Sequence, residues 1–413
     1  MGFVVYLLLL LEALFALWLL KRSGALKLRS AWIVSVLLLL LAFGARAYMF
    51  DYETLDYQNF LTKWVDYFRY HGHFAALRES VGNYNIPYLY FLALFSLSPV
   101  RDLYLIKLLS TFFDVILAWG SMMLLGRYTR RAGVRIACFF TVLFLPTVFL
   151  NSAVWAQCDS TYAAMLVLGL YLALEDKPSL SMLCAVAAFG FKLQAIFVLP
   201  VYVVLWMAGK VKWYHFLLFP AGYVALVLPA VLLGRPFWDT VTLYFSQTGS
   251  IGDAMNYNSS SIFALIRHVE NPSLASTTAI VAAFAFLLIL LLVCFLNREH
   301  LSDRAILGAA VLFAVGIPFL LPHMHDRYFF CADILSVVLA FASWRCSPAA
   351  LLTQFASLLG YHAYLKMRFL LPMRYGALAL LATLTIAIAF FSFSLFADEE
   401  RKGASPKRGK KEA

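Results

Sequence analysis

Long apolar runs, separated by short polar segments, repeat from one end of this chain to the other. They are roughly 15 to 23 residues long, the helical length that crosses a hydrocarbon core about 30 Å thick, and they lack the alternation of a barrel strand. About thirteen helices follow, at 3–20, 31–50, 103–126, 136–152, 160–174, 180–191, 194–208, 214–234, 276–296, 305–321, 328–344, 349–365 and 376–397. The two runs 180–191 and 194–208 also read as a single bent hairpin. The predicted fold class is an all-α polytopic membrane protein, one transmembrane domain over 1–397, with a polar tail over 398–413.

The connecting segments are of two kinds. Those on one side are short and basic; those on the other include two long loops, 51–102 and 235–276. Within the first loop, DYQNFLTKWVDYFRYHGHF sets Tyr57, Phe60, Leu61, Trp64, Val65 and Phe68 on one helical face, which predicts a helix lying on the outer leaflet. NYNIPYLYFLALFSLSP predicts a second surface helix, and FWDTVTLYFSQ plays the same part in the second loop. The halves show no sequence repeat, which speaks against an inverted-repeat transporter.

Composition agrees with the pattern. Hydrophobic residues make up 63% of the 413 and charged ones 13%, with mean hydropathy +0.81, far from the balance of a soluble domain. A net charge of +11 suggests nucleic acid at first sight. Most of the lysines and arginines, however, fall in the short loops and the tail, which makes that side cytoplasmic and the charge topogenic; no nucleic-acid partner is expected. The tail DEERKGASPKRGKKEA reads as disordered near anionic headgroups. The N-terminal run lacks a basic n-region and a cleavage site, so it reads as a retained span. Six scattered cysteines without CxxC spacing read as free thiols.

Candidate chemistry gathers at one depth. On this topology Asp51, Asp56, Asp159, Lys192, Gln194, His323, His325, Asp326, Arg327, Lys366, Arg368 and Arg374 all fall near external helix ends, where ionisable groups are costly and usually functional. Polar residues within the spans (Glu12, Arg46, Asp114, Asp333) are few and scattered, which disfavours an ion pathway. Asp56 reads either as an N-cap or as a catalytic acid. Asp51 reads as a solvated boundary acid or a second candidate. Asp159, in WAQCDS with Trp155 and Gln157, either caps a span or binds substrate, and Lys192 either snorkels outward or holds an anion. In HMHDR the histidines are two apart, without the spacing and further ligands of a helical metal site. Anion handling fits better: Arg327 as a fixed cation, His323 and His325 as donors at a helix start. Lys366, Arg368 and Arg374 break the positive-inside trend, as a lipid phosphate or simple snorkelling would explain.

The runs DYQNFLTKW, GNYNIPYLYFLALFSLSP, IKLLSTFFD, VWAQCDSTYA, FKLQAIFVLP and PHMHDRYFF together resemble the motifs of bacterial GT-C membrane glycosyltransferases, relatives of the GPI mannosyltransferases, over roughly residues 31 to 345. The resemblance implies eleven to thirteen helices, a first external loop with surface helices and an essential acid, an inverting transfer from a polyprenyl-phosphate sugar, and no metal or other cofactor. By position Asp56 matches the family acid, with Asp51 as the near alternative. The region after 345, including Arg368, departs from the pattern.

The expected function is therefore transfer of a hexose, mannose at family level, to a glycan, lipid or protein acceptor on the extracytoplasmic side of a bacterial cytoplasmic membrane. Asp56 or Asp51 would be the base. His323, His325, Arg327, Lys192 and Arg368 would hold the phosphate, and Trp155, Gln157, Asp159, Gln194 and Asp326 the sugar or acceptor. Membrane lipids are the remaining partners. The rival readings are a lipid-linked sugar flippase or transporter, which would need charged groups through the bilayer, and a polymerase or ligase of lipid-linked glycans.

Overall fold

A computed structural model describes residues 1–244, 254–266 and 268–403. The end of the FWDTVTLYFSQ segment and the tail after residue 403 lie outside the described residues. Every predicted span is met by helical structure. The first are α1 (Phe3–Arg22), α2 (Arg29–Met49), α3 (Thr62–Tyr70), α4 (Ile86–Phe95), α5 (Asp102–Leu125), α6 (Ala132–Leu143), α7 (Pro146–Phe149), α8 (Asp159–Leu174) and α9 (Pro178–Phe191). Then come α10 (Val201–Met207), α11 (Leu218–Leu232), α12 (Phe237–Val241), α13 (Pro272–Leu296), α14 (Asp303–Leu320), α15 (Phe330–Ala342), α16 (Ser347–Leu365) and α17 (Arg374–Gly403).

Local chemistry sets the boundaries. Proline opens α7, α9, α13 and α16, where its missing N–H costs no helical bond. Asn271 and Ser302 cap α13 and α14 by accepting the N–H of Leu274 at 3.1 Å and of Ala305 at 3.3 Å. The span expected at 136–152 is broken. Pro146 cannot continue α6, and the chain bends by 44° before resuming as α7 and a π-helical turn at Leu150–Val154.

Among the described residues, seven helices are long and apolar enough to cross a bilayer by themselves, and the bent pair makes eight. The figure of about thirteen crossings is thus not carried by length alone. α8, α9, the Leu193–Met207 stretch and α15 are shorter than a full crossing. α8 and α15 lie in the interior, with α5 packed on α8, α8 on α9, and α15 between α14 and α16, whereas α9 and the Leu193–Met207 stretch keep Leu180, Leu183, Ile196 and Trp206 exposed. The candidate crossing at Asp303–Leu320 is 83% buried, whereas that at Pro272–Leu296 is 22% buried and turns its side chains outward.

Ion pairs sort the loops to two ends. Arg127 pairs with Glu175 at 2.8 Å and Asp303 at 2.9 Å, and Lys210 reaches Asp176 at 3.2 Å, so the short loops after α5, α8, α10 and α13 converge. At the opposite end the amino terminus lies 3.7 Å from Asp51, and Lys107 caps α2 by donating to the carbonyls of Met49, Phe50 and Tyr52. Arg235 ties the two long loops together by donating to the Glu79 carbonyl at 2.7 Å.

Two expectations about these loops change. The amphipathic face of the first loop does not lie wholly on lipid: Tyr57, Leu61, Val65 and Phe68 are buried, with α3 packed against α4 and α5. The apolar run of α4 supplies a protein surface for that face, while Phe60 stays exposed. HMHDR, in turn, is not a helix start. Met324–His325 forms a short strand, β2, paired in parallel with β1 (Asn256–Tyr257), and α15 begins only at Phe330. Gly360 lets α16 approach this strand pair; a Cβ there would sit 2.7 Å from the Asn258 carbonyl oxygen.

Candidate active site

Asp56 precedes a π-helical turn at Tyr57–Leu61, and its side chain makes no capping bond. Its Oδ2 instead accepts the indole Nε1–H of Trp155 at 2.8 Å and the Gln157 amide N–H at 3.0 Å. Its backbone N–H donates to Tyr364 Oη at 3.0 Å. The half-buried carboxylate is thus gripped through one oxygen and its own main chain. Gln157 is oriented in turn by the Tyr84 hydroxyl, which donates to its Oε1 at 2.9 Å.

Trp155 is the hub. Fully buried, it stacks on Tyr364 with centroids 4.0 Å apart and meets the Tyr361 ring edge-on. The Arg327 guanidinium lies 5.2 Å from the centre of the same indole. Asp56 at its N–H edge and Arg327 on its face therefore share one neighbour.

Asp159 forms the second centre. Neither of its oxygens caps α8; Oδ1 pairs with Lys192 Nζ, while Oδ2 accepts from Asn151 at 2.7 Å and lies 3.7 Å from Arg327 Nε. Lys192 does not snorkel. The helix breaks there into extended backbone, and the buried ammonium points inward over the Tyr84 ring at 5.5 Å. One carboxylate thus holds two cations in a low-dielectric site, which fixes their position but leaves them partly neutralised.

Asp326 is buried, with Oδ1 3.6 Å from Arg327 Nη1. Burial pushes its carboxyl up to about 7, against the pull of Arg327. His325 stacks flat on Tyr257 at 4.6 Å, and burial, reinforced by Arg327, pulls its imidazole down to about 4, so it is neutral near pH 7. Gln194, in the 3₁₀ turn after Lys192, lies beside Tyr328.

The remaining candidates lie elsewhere. His323 is engaged by the second long loop: its Nδ1 bonds the Ala254 carbonyl at 2.8 Å and its N–H the Met255 carbonyl at 2.8 Å. Asp51 is exposed, accepting from Tyr104 at 2.6 Å, a bond that lowers its pKa. Arg368, Lys366 and Arg374 are exposed as well; the Arg368 carbonyl bonds His362, and Arg374 lies over Tyr375. Tyr364, Tyr361 and Asn151 join the site although no motif in the sequence singles them out, as does Tyr84, which lies in the GNYNIPYLYFLALFSLSP run but has no role assigned to it there. Asn151, a lone amide inside an apolar run, was the one legible signal. Nor are the mid-span charges scattered: Arg46 and Asp114 form a fully buried pair at 2.8 Å. Among the described residues, no three carboxylate, imidazole or thiol groups gather to share a metal ion.

The cluster can orient a carboxylate beside two cations that are largely withdrawn from solvent. Comparison with known proteins gives this geometry its setting. The model of glycosyltransferase family 87 matches residues 83–322, inside the 31–345 stretch of the resemblance noted above. The match takes in Tyr84, Trp155, Gln157, Asp159, Lys192 and Gln194, and leaves Asp56 and Arg327 to be argued from their contacts. Among curated proteins none matches. With more than half of its length matched, on an all-α polytopic scaffold, the chain belongs to glycosyltransferase family 87 and is a membrane glycosyltransferase.

Proposed function

We propose that the enzyme moves a hexose, with mannose the family-level expectation, from a polyprenyl-phosphate donor to an acceptor hydroxyl on the extracytoplasmic side, with inversion. The observation that carries the reading is the sharing of Trp155 by Asp56 and Arg327. Asp56 takes the proton of the acceptor hydroxyl as that oxygen attacks the anomeric carbon. The bond from that carbon to the phosphate oxygen breaks, and the electron pair leaves with polyprenyl phosphate. General base assistance of this kind contributes typically ~10²–10⁴-fold.

Arg327 and Lys192 stabilise the charge that grows on the phosphate, positioned in advance by Asp159. Neutral His325 supplies a hydrogen-bonding edge, and Gln157 or Gln194 meets sugar or acceptor hydroxyls. Their proximity to the cations supports the roles. A monophosphate leaving group needs no metal under this reading.

The test uses purified protein in lipid nanodiscs, an alkyl mannoside as acceptor and a panel of labelled donors. Turnover is expected with polyprenyl-monophosphate hexoses and is expected to vanish in Asp56→Asn while donor binding persists. Turnover confined to pyrophosphate-linked or nucleotide donors, or undiminished in Asp56→Asn, would end the proposal.

A further inference from the structure

The segment that carries Trp155, Gln157 and Asp159 is an arch between two helices, and its backbone is not relaxed. It leaves α7 through the π-helical turn at Leu150–Val154, passes Ala156 at φ +62°, and enters α8 at Asp159. A positive φ at a residue with a side chain persists only where surrounding contacts impose it. Those contacts come from beneath. Ser152, at the near foot of the arch, donates its hydroxyl to Asp114 Oδ2 at 2.6 Å; Ser160, at the far foot, donates to Asp114 Oδ1 at 2.5 Å. Arg46 donates to the same Oδ2 from Nη2 at 2.8 Å and to the Leu143 carbonyl at 2.9 Å, where α6 ends before the bend. Arg46, Asp114, Ser152 and Ser160 are all wholly buried.

A buried ion pair is weak evidence for stability in itself, because desolvation offsets its attraction, and its best attested use is to fix one arrangement among several. Here the arrangement fixed is the span of the arch. One carboxylate, held by Arg46, grips both feet, each through a different oxygen. The near foot leads to Trp155 and Gln157, which hold Asp56; the far foot adjoins Asp159, which holds Lys192 and Arg327.

We infer that Asp114 and Arg46 are positioning residues, a buried clamp that sets the arch carrying Trp155, Gln157 and Asp159 and thereby the placement of Asp56 relative to the Lys192 and Arg327 cations. The inference rests on the roles proposed for those groups. It assigns a task to the only charged pair in the described residues whose two side chains are both wholly buried. His325, Asp326 and Tyr364 are titratable neighbours of Asp56 as well, but they belong to the β2 segment and the end of α16 rather than to the clamp.

Because Asp114→Asn strands the Arg46 cation, the test uses the serines, whose loss leaves the ion pair intact: Ser160 gives up its bond to Asp114, and Ser152 its bond to Asp114 together with the longer contact of the same hydroxyl to the Val148 carbonyl, 3.0 Å away. The two feet make different predictions. Ser152→Ala lowers kcat roughly tenfold with donor KM within about twofold of wild type, since it loosens the Asp56 side. Ser160→Ala raises donor KM about five- to tenfold with the smaller effect on kcat, since it loosens the cation side. Threonine at either position restores wild-type values. Ser152→Cys and Ser160→Cys, near-isosteric and far weaker donors, are read in the same way if an alanine variant does not purify folded. Wild-type constants in both variants, or the same change in kcat and KM from both feet, overturn the clamp. Asp56→Asn is assayed in parallel: its activity decides the base assignment, whereas the kcat-against-KM split decides the clamp.

Discussion

The Trp155 indole N–H donates to Asp56 Oδ2 at 2.8 Å, and the opposite side of that relationship is Arg327, set over the same ring. Under the proposed function, the base and the cation for the leaving group are thus registered to one rigid aromatic plane.

Trp155→Phe separates the two functions of the ring. The phenyl keeps a face for Arg327 and for Tyr364 but has no N–H for Asp56. Losing a hydrogen bond to a charged group costs about 1.5–3 kcal/mol, so kcat is expected to fall about 10- to 100-fold. Donor KM should change little. Steady-state kinetics in detergent check this; an unchanged kcat would remove the indole from the chemistry.

Lys192→Met removes one of the two cations on Asp159 and should destabilise the protein, by less than the about 3–5 kcal/mol of an uncompensated buried charge because Arg327 and Asn151 remain, while raising donor KM. Thermal melting and donor titration measure the two effects. The double change Lys192→Met, Asp159→Leu should regain neither stability nor activity, because Asp159 also answers Arg327 and Asn151, which then lose their shared carboxylate. Recovery of turnover in that double variant would show that the pair is only structural.

Asp326 gives the site a pH dependence of definite sign. With its pKa at about 7, the carboxyl is neutral below that pH and leaves Arg327 free to meet a phosphate. Donor affinity should weaken as pH rises through 7, and Asp326→Asn should flatten the profile between about pH 6 and 8. Stability follows the same linkage. The folded protein holds this proton from the ordinary 3.8 up to about 7, so the term falls as pH rises across that window. His325 acts oppositely. Lowered from 6.5 to about 4, it favours the unfolded state increasingly as pH falls through that interval. Melting curves of Asp326→Asn against wild type should therefore diverge most above pH 7, with the variant the more stable.

Asp51→Asn and Arg368→Gln are expected to keep activity within about threefold of wild type, since surface charges away from the reacting groups contribute little. Asp51 is exposed beside Tyr104 and Arg368 is exposed past the end of α16. A hundredfold loss in either would show that the acid or the phosphate site had been misplaced.

The helices, their rough bounds, the basic side and the polar end were legible in the sequence, because they depend on local properties: the length of an apolar run, a proline, the sign of a loop. WAQCDS, FKLQ and HMHDR were also legible as chemistry, since charge within apolar sequence is costly wherever it occurs. What those residues do to one another was not. Asp56 could not be told from an N-cap, nor Lys192 from a snorkelling lysine, until Trp155 and Asp159 were seen beside them. Met324–His325 became a strand only because residues 256–257 arrive to pair with it, and Arg46 found Asp114 across helices that no periodicity links. Hydrophobic pattern specifies which face of each segment is turned inward; the partner met there depends on how the segments pack, and hydrogen bonds and ion pairs of a few ångströms exist only once that packing is complete.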